Sequence, residues 1–195
     1  MNAIKGKSYF STVEILFMAS MIGLDFAYGL VVGPLLTATG VLEIIRIDMI
    51  VPIMMLLVTR LVVDRFGTLI VYEFVWVTLA ILARPGAMGL PGFFKFLPAL
   101  GYGLILDACM SSVRRPLYLR LIIAGVIGGV VNQFSMLGIR ILFGMPWSTA
   151  VQALLGINIL TTVIINLLAV QLTVLVWRGI ERTGWVSRLR SWRTS

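Results

Sequence analysis

Six long apolar runs dominate this sequence, separated by short segments that collect charged residues, glycines and prolines. Each run approaches the ~20 apolar residues that a helix needs to cross the bilayer core. Hydrophobic residues make up 59% of the chain and charged residues 12%, whereas soluble domains are ~45–50% apolar and ~25% charged. The sequence therefore predicts an all-α membrane protein, a single domain over residues 1–195 built as a six-transmembrane-helix bundle. The predicted spans are approximately 9–35, 48–64, 67–83, 93–110, 117–143 and 149–177.

The basic residues predict the orientation of this bundle. With six spans, one side receives twelve of the sixteen Lys and Arg residues, and the other receives only Arg46, Arg84, Lys95 and Arg140. Because short cytoplasmic loops collect Lys and Arg, both termini are expected in the cytoplasm. The segment 178–195 interleaves tryptophans and arginines and predicts a basic amphipathic tail on membrane lipid. Nucleic-acid binding is not expected, since this topology already requires these arginines.

Two absences restrict the chemistry of the chain. It has no histidine, and Cys109 is its only cysteine, which excludes imidazole bases, paired cysteines and tetrahedral zinc sites. No phosphate-binding GxxxxGK[ST] run is present. We therefore expect neither an enzyme nor a cofactor or metal, and we expect Cys109 to be a small buried apolar residue.

Charged residues within the apolar runs are costly in hydrocarbon and are functional candidates. Glu73 lies inside the third run beside Tyr72 and Trp76, and this grouping predicts a site for a cationic or heteroaromatic ligand. The alternative is that Arg60 or Arg65 neutralises Glu73 near the inner interface. Asp107 is expected to pair locally, with the arginines at 114 and 115.

The last two runs carry polar residues at helical spacing. Residues four apart share a helix face, and the two stripes are Asn158, Thr162, Asn166 and Asn132, Met136, Arg140, with Gln133 adjacent. Such stripes either join helices or line a polar pocket, and the number of amides favours a pocket. Arg140 either neutralises an anionic group on a ligand or is an interface arginine that reaches toward the headgroups.

Small residues form two further stripes. Ala19, Gly23 and Ala27 recur every four residues in the first run, and Gly125 and Gly129 do so in the fifth. Both stripes predict flat faces that another helix approaches closely, within the bundle or from a partner.

Four segments carry a family resemblance: LEIIRIDMIVP, RFGTLIVYEFVWVTLAI, GLPGFFKFLPALGYGLILDA and RGIERTGWV. Together with the six runs and the small-residue stripe in the first, they resemble the substrate-binding S components of energy-coupling factor (ECF) vitamin transporters. The chain is most similar to S components for thiamine or its pyrimidine precursor, in which an acidic residue occupies the place of Glu73.

The resemblance implies a high-affinity capture subunit without catalytic activity, in a prokaryotic cell membrane. Its partners would be a small-molecule substrate, membrane lipid, a transmembrane T component and two ATPase subunits. Docking on the T component would use Ala19, Gly23 and Ala27, although the family usually has alanine at the position of Gly23. The substrate site would contain Tyr72, Glu73, Trp76, Phe94, Lys95, Asn132, Gln133, Arg140, Trp147, Asn158 and Thr162.

A second hypothesis comes from another class of protein. A small oligomeric channel or secondary carrier would use the same glycine-rich faces between its copies and would need no ATPase partners. It predicts flux without ATP, and sensitivity to substitution of Asp25 if protons are coupled to transport.

Overall fold

A computed structural model describes residues 9–40, 46–83, 90–113, 116–155, 157–184 and 186, without the side chains of residues 37, 150, 153–155, 157 and 158. All regular secondary structure in these residues is helical. The helices are α1 (Thr12–Ala38), α2 (Ile50–Val63), α3 (Thr68–Ala83), α4 (Phe96–Ser112), α5 (Leu117–Leu142), α6 (Trp147–Leu155) and α7 (Ile157–Ile180). Short 3-10 turns, Ile47–Met49 and Gly92–Lys95, lead into α2 and α4.

Four helical segments of the described part are long and apolar enough to cross a membrane. They are Thr12–Leu36, Gly92–Ser112, Leu117–Leu142 and Ile159–Ile180. With 14 and 16 residues, α2 and α3 are about 21 and 24 Å long at 1.5 Å per residue. The regular structure of the described part is thus all-helical, and its four long apolar helices are consistent with a multi-pass membrane protein. The six-span count and the orientation of the termini stay predictions.

The last predicted span contains two described helices. The segment long enough to cross begins at Ile159, ten residues after the predicted start at 149, and α6 precedes it and packs against α5 and α7. Most of the predicted tail lies outside the described residues. Within it, α7 extends to Ile180 and Val186 belongs to the apolar core.

Neighbouring helices form a closed ring in the order α1, α3, α4, α5, α7, α2, with α2 also touching α3. Helix α2 is the most enclosed, because nine of its fourteen residues are buried, among them every residue from Leu56 to Val63. Core residues from α2, α4, α5 and α7 meet there, including Leu57, Leu106, Leu121 and Val170. Cys109 lies half-buried at the margin of this core.

The start of α1 is joined to the turn between α2 and α3. Ser11 and Glu14 form a reciprocal capping box: the Ser11 N–H donates to Glu14 Oε2 (2.8 Å), and the Glu14 N–H donates to Ser11 Oγ (3.2 Å). Glu14 also accepts from Arg65 Nε at 3.1 Å, and the Tyr9 hydroxyl donates to the Phe66 carbonyl. The α2–α3 turn is therefore held against the first turn of α1.

A buried ion pair joins α2, α3 and α4 at the same end of the bundle. Arg60 Nε lies 2.7 Å from Asp107 Oδ1, and the two side chains are 3% and 0% exposed. The other oxygen of Asp107 accepts from the N–H of Leu69 (2.9 Å) and the N–H of Ile70 (3.4 Å). Because the first N–H groups of a helix have no partner within it, Asp107 caps α3 from a neighbouring helix. We call the end of the bundle that contains Arg60, Asp107 and the start of α3 the Arg60 end.

Glycines allow the closest helix contacts. A Cβ built on Gly103 of α4 would lie 2.7 Å from the Leu69 carbonyl oxygen, and one built on Gly129 of α5 would lie 2.3 Å from Asn166 Nδ2 of α7. Gly125 and Gly128 are equally enclosed, against Val170 and Leu106. The predicted small-residue stripe of the fifth run is thus an internal packing face.

Replacing Asp107 with Asn keeps the shape and an acceptor oxygen but leaves buried Arg60 without this counter-ion. We expect Asp107→Asn to lower the free energy of unfolding by about 3–5 kcal/mol, measured by thermal unfolding in dodecyl maltoside. Asp64→Asn is the control, since Asp64 bonds the same arginine at 3.1 Å but its side chain is 45% exposed. Equal stability of the two variants would contradict the assigned role.

Gly103→Ala places a methyl group against backbone that has no room to move. We expect it to destabilise the protein by about 1–3 kcal/mol. Gly101→Ala, in the same helix, has open space around the new methyl group and should be neutral or slightly stabilising, because alanine favours helix. The melting temperatures of both variants check this expectation. A Gly103→Ala protein as stable as wild type would mean that α3 and α4 do not approach each other as closely as described.

Candidate functional site

The predicted ligand residues fall into two regions. Tyr72, Glu73 and Trp76 lie in the middle of α3, Asn132 and Gln133 lie in α5, and Thr162 lies in α7. Phe94, Lys95, Arg140 and Trp147 lie at the other end of the bundle, which we call the Arg140 end. The side chain of Asn158 lies outside the described residues.

Tyr72 has a partner within the protein. Its side chain is 1% exposed, and its hydroxyl donates to Asp25 Oδ2 of α1 at 2.9 Å. A tyrosine hydroxyl is therefore one donor to the carboxylate of Asp25 inside the bundle. This contact joins α1 to α3, and a role for Tyr72 in stacking on a ligand stays a prediction.

Glu73 is buried beside α4. Its exposure is 9%, and its Cγ would lie 3.2 Å from a Cβ built on Gly103. Neither Arg60 nor Arg65 neutralises it, because Arg60 pairs with Asp107 and Asp64 while Arg65 pairs with Glu14. The alternative that assigned Glu73 to these arginines is wrong.

Asn166 is a packing residue as well as a polar one. It is 2% exposed, its Nδ2 donates to the Thr162 carbonyl one turn earlier at 2.8 Å, and its amide covers Gly129 of α5. Part of the predicted amide stripe therefore serves the contact between α5 and α7.

Besides the paired atoms of Arg60 and Asp107, four buried side-chain polar atoms have no hydrogen-bond partner among the described residues: Trp76 Nε1, Arg120 Nε, Asn132 Oδ1 and Asn166 Oδ1. Natural proteins satisfy more than 90% of such groups, and an amide or indole left unpaired in hydrocarbon is costly. Two of these four atoms, those of Trp76 and Asn132, belong to residues that the sequence assigned to the substrate site.

The Arg140 end contains an open depression of about 360 Å³, lined by Leu90, Pro91, Arg140, Phe143, Gly144 and Met145. Phe94 packs edge to face against Phe143, with ring centroids 4.7 Å apart. Trp147 is 70% exposed and Lys95 is fully buried. Of the predicted site residues, Arg140 lines this depression directly and Phe94 supports its wall.

The small-residue stripe of the first run faces away from the bundle. Ala19, Gly23 and Ala27 are all exposed, and a Cβ built on Gly23 meets no atom within 4 Å. The opposite face of α1 contributes Met18, Ile22 and Asp25 to the interior. The bundle therefore does not use the stripe for its own packing.

Two contacts escaped sequence reasoning: the pair of Arg60 with Asp107, and the bond of Tyr72 with Asp25. The expected partners of Asp107 at 114 and 115 lie outside the described residues. Each of the four residues stands out as polar within an apolar run, but residues so far apart in sequence are paired only by the packing of the helices. Within the described residues, no group of three or more Cys, Asp or Glu side chains is arranged to hold a metal ion.

Comparison with protein-family models, with curated proteins and with solved structures finds no match to this chain. Its function is therefore argued from the fold, the buried polar groups and the two regions described above.

Tyr72→Phe removes one hydroxyl and leaves Asp25 buried without that donor. We expect a loss of about 1–3 kcal/mol in unfolding free energy, measured by thermal unfolding in detergent. Phe94→Ala is the contrasting variant among the predicted site residues, because Phe94 is 54% exposed and its truncation should cost less. A Tyr72→Phe protein as stable as wild type would mean that the hydroxyl does not serve Asp25.

Proposed function

We propose that this chain is the substrate-capture subunit of an ECF-type importer for a vitamin or related small heterocycle. The exposed small-residue stripe of α1 carries the proposal. Helix association in membranes depends on small residues that let backbones approach closely. A stripe of this kind that the bundle leaves uncovered suits a helix of another subunit, and the family resemblance places docking on the T component at these positions.

The unpartnered polar atoms support capture of a solute. If Trp76, Asn132 and Asn166 served only to join helices, their buried polar atoms would be paired with neighbouring helices. A heterocycle that enters between α3, α5 and α7 offers donors and acceptors to these atoms. Glu73, which has no hydrogen bond or ion pair among the described residues, adds a buried carboxyl group that would pair with the positive charge of thiamine or hydrogen-bond its pyrimidine precursor, the substrates that the resemblance favours.

The short helices fit this membrane architecture. Because α2 is enclosed by its neighbours, its exposure to lipid is small and its 14 residues do not need to match the full bilayer thickness. We propose six spans, with α2 and α3 as the two short ones and both termini in the cytoplasm. The Arg140 end would then face outward, where the substrate arrives.

The test of the proposal separates binding from transport. The purified chain should bind its substrate alone, whereas uptake into proteoliposomes should appear only when a T component and two ATPases are added with ATP. Uptake by the chain alone would instead support the channel or carrier hypothesis.

Gly23→Leu tests the docking face. The new side chain enters open space in this chain but blocks the close approach of a partner helix. We expect unchanged substrate binding and at least tenfold weaker assembly with the T component, measured by co-purification of the complex. Gly138→Leu is the control, because Gly138 of α5 is also exposed with nothing within 4 Å. Intact assembly of the Gly23→Leu protein would contradict the docking role.

A further inference from the structure

The depression at the Arg140 end is open and has room for a small molecule. Its volume of about 360 Å³ lies within the range of ~300–1,000 Å³ found for ligand pockets. Five of its six lining residues are apolar or glycine, and the sixth is Arg140. An apolar wall with one fixed charge orients a ligand by that charge.

The backbone beneath Arg140 is closed by its own hydrogen bonds. The N–H of Met145 donates to the Arg140 carbonyl at 3.0 Å, and the N–H of Gly144 donates to the Ile141 carbonyl at 2.9 Å. This is a Schellman cap, and it requires the left-handed conformation that Gly144 adopts at φ +96°. The carbonyls of Arg140 and Ile141 at the end of α5 are therefore satisfied without the guanidinium of Arg140.

The guanidinium of Arg140 has no hydrogen-bond acceptor or counter-ion among the described residues. Arg46 provides the contrast: its guanidinium bonds both oxygens of Asp48, each at 2.9 Å. Among the described residues that line the depression, none is acidic. Arginine presents several N–H donors in a planar fork that matches a carboxylate or a phosphate.

The aromatic wall holds the depression in shape. Phe143, the residue after α5, packs against Phe94 of the turn that precedes α4, and so ties the end of one helix to the start of another. A ligand with a ring or an apolar body would lie along this wall while its charged group meets Arg140.

We propose that the depression selects ligands with an anionic group, a carboxylate or a phosphate monoester, attached to a compact ring or apolar body. The inference rests on the proposed capture function and names its substrate class. It favours an anionic vitamin-like molecule or a phosphorylated heterocycle, and among thiamine compounds it favours thiamine monophosphate over thiamine, which has no anionic group.

Matched pairs of probes test this selection with the full chain in dodecyl maltoside, which has no phosphate. The pairs are nicotinate and nicotinamide, pantothenate and pantothenol, and thiamine monophosphate and thiamine, with affinity measured by calorimetry. For a pair that binds, we expect the member with the anionic group to bind about tenfold tighter or more. Arg140→Gln should remove this advantage, Arg140→Lys should retain part of it, and Arg46→Gln should leave it unchanged.

Three outcomes would contradict the proposed anion selection, and they differ in whether the proposed capture function is contradicted as well. Equal or tighter binding of the members without the anionic group, insensitive to Arg140→Gln, would overturn the anion selection and leave the capture function standing. Failure of all six probes to bind at about 1 mM would count against both. Displacement of the anionic probe from wild type by dihexanoylphosphatidylcholine would make Arg140 a phospholipid contact and also overturn the inference.

Discussion

The buried pair of Arg60 and Asp107 is the interaction on which the arrangement of α2, α3 and α4 depends. One carboxylate neutralises a guanidinium from α2 and at the same time accepts two N–H groups at the start of α3. Because both side chains are buried, water cannot satisfy either group, so the three helix ends must stay together. The neighbouring contact of Arg65 with Glu14 adds α1 to the same unit. The Arg60 end is thereby a fixed base.

The opposite end is built differently. Its described contacts are mainly aromatic and backbone contacts, such as Phe94 with Phe143 and the cap at Gly144, and its arginine is directed to an open depression. Between the two ends, some polar groups bond each other within the bundle, as Tyr72 does with Asp25, and others, such as Asn132 Oδ1, have no hydrogen-bond partner among the described residues. A rigid base, a polar middle and an open end suit a protein that admits a solute from one side.

Much of the fold was predictable because membrane helices appear in a sequence as long apolar runs that are separated by charged residues, glycines and prolines. The predicted starts at 67 and 117 lie within one residue of the helices Thr68–Ala83 and Leu117–Leu142. The start of the last long helix was less predictable, since the apolar run continues through α6. At the site, periodicity identified Asn166 and Gly129 as residues on helix faces, but it did not show that they pack against each other.

The sequence by itself determined that the chain is helical, apolar and divided into membrane-sized segments, because these properties follow from local composition and spacing. Only the tertiary structure decided the partners of the polar residues. Asp107 bonds Arg60, the stripe at Gly23 faces outward while that at Gly129 faces inward, and Arg140 lines a depression. Helical periodicity places residues on a common face, but the direction in which that face points depends on the packing of helices far apart in the chain.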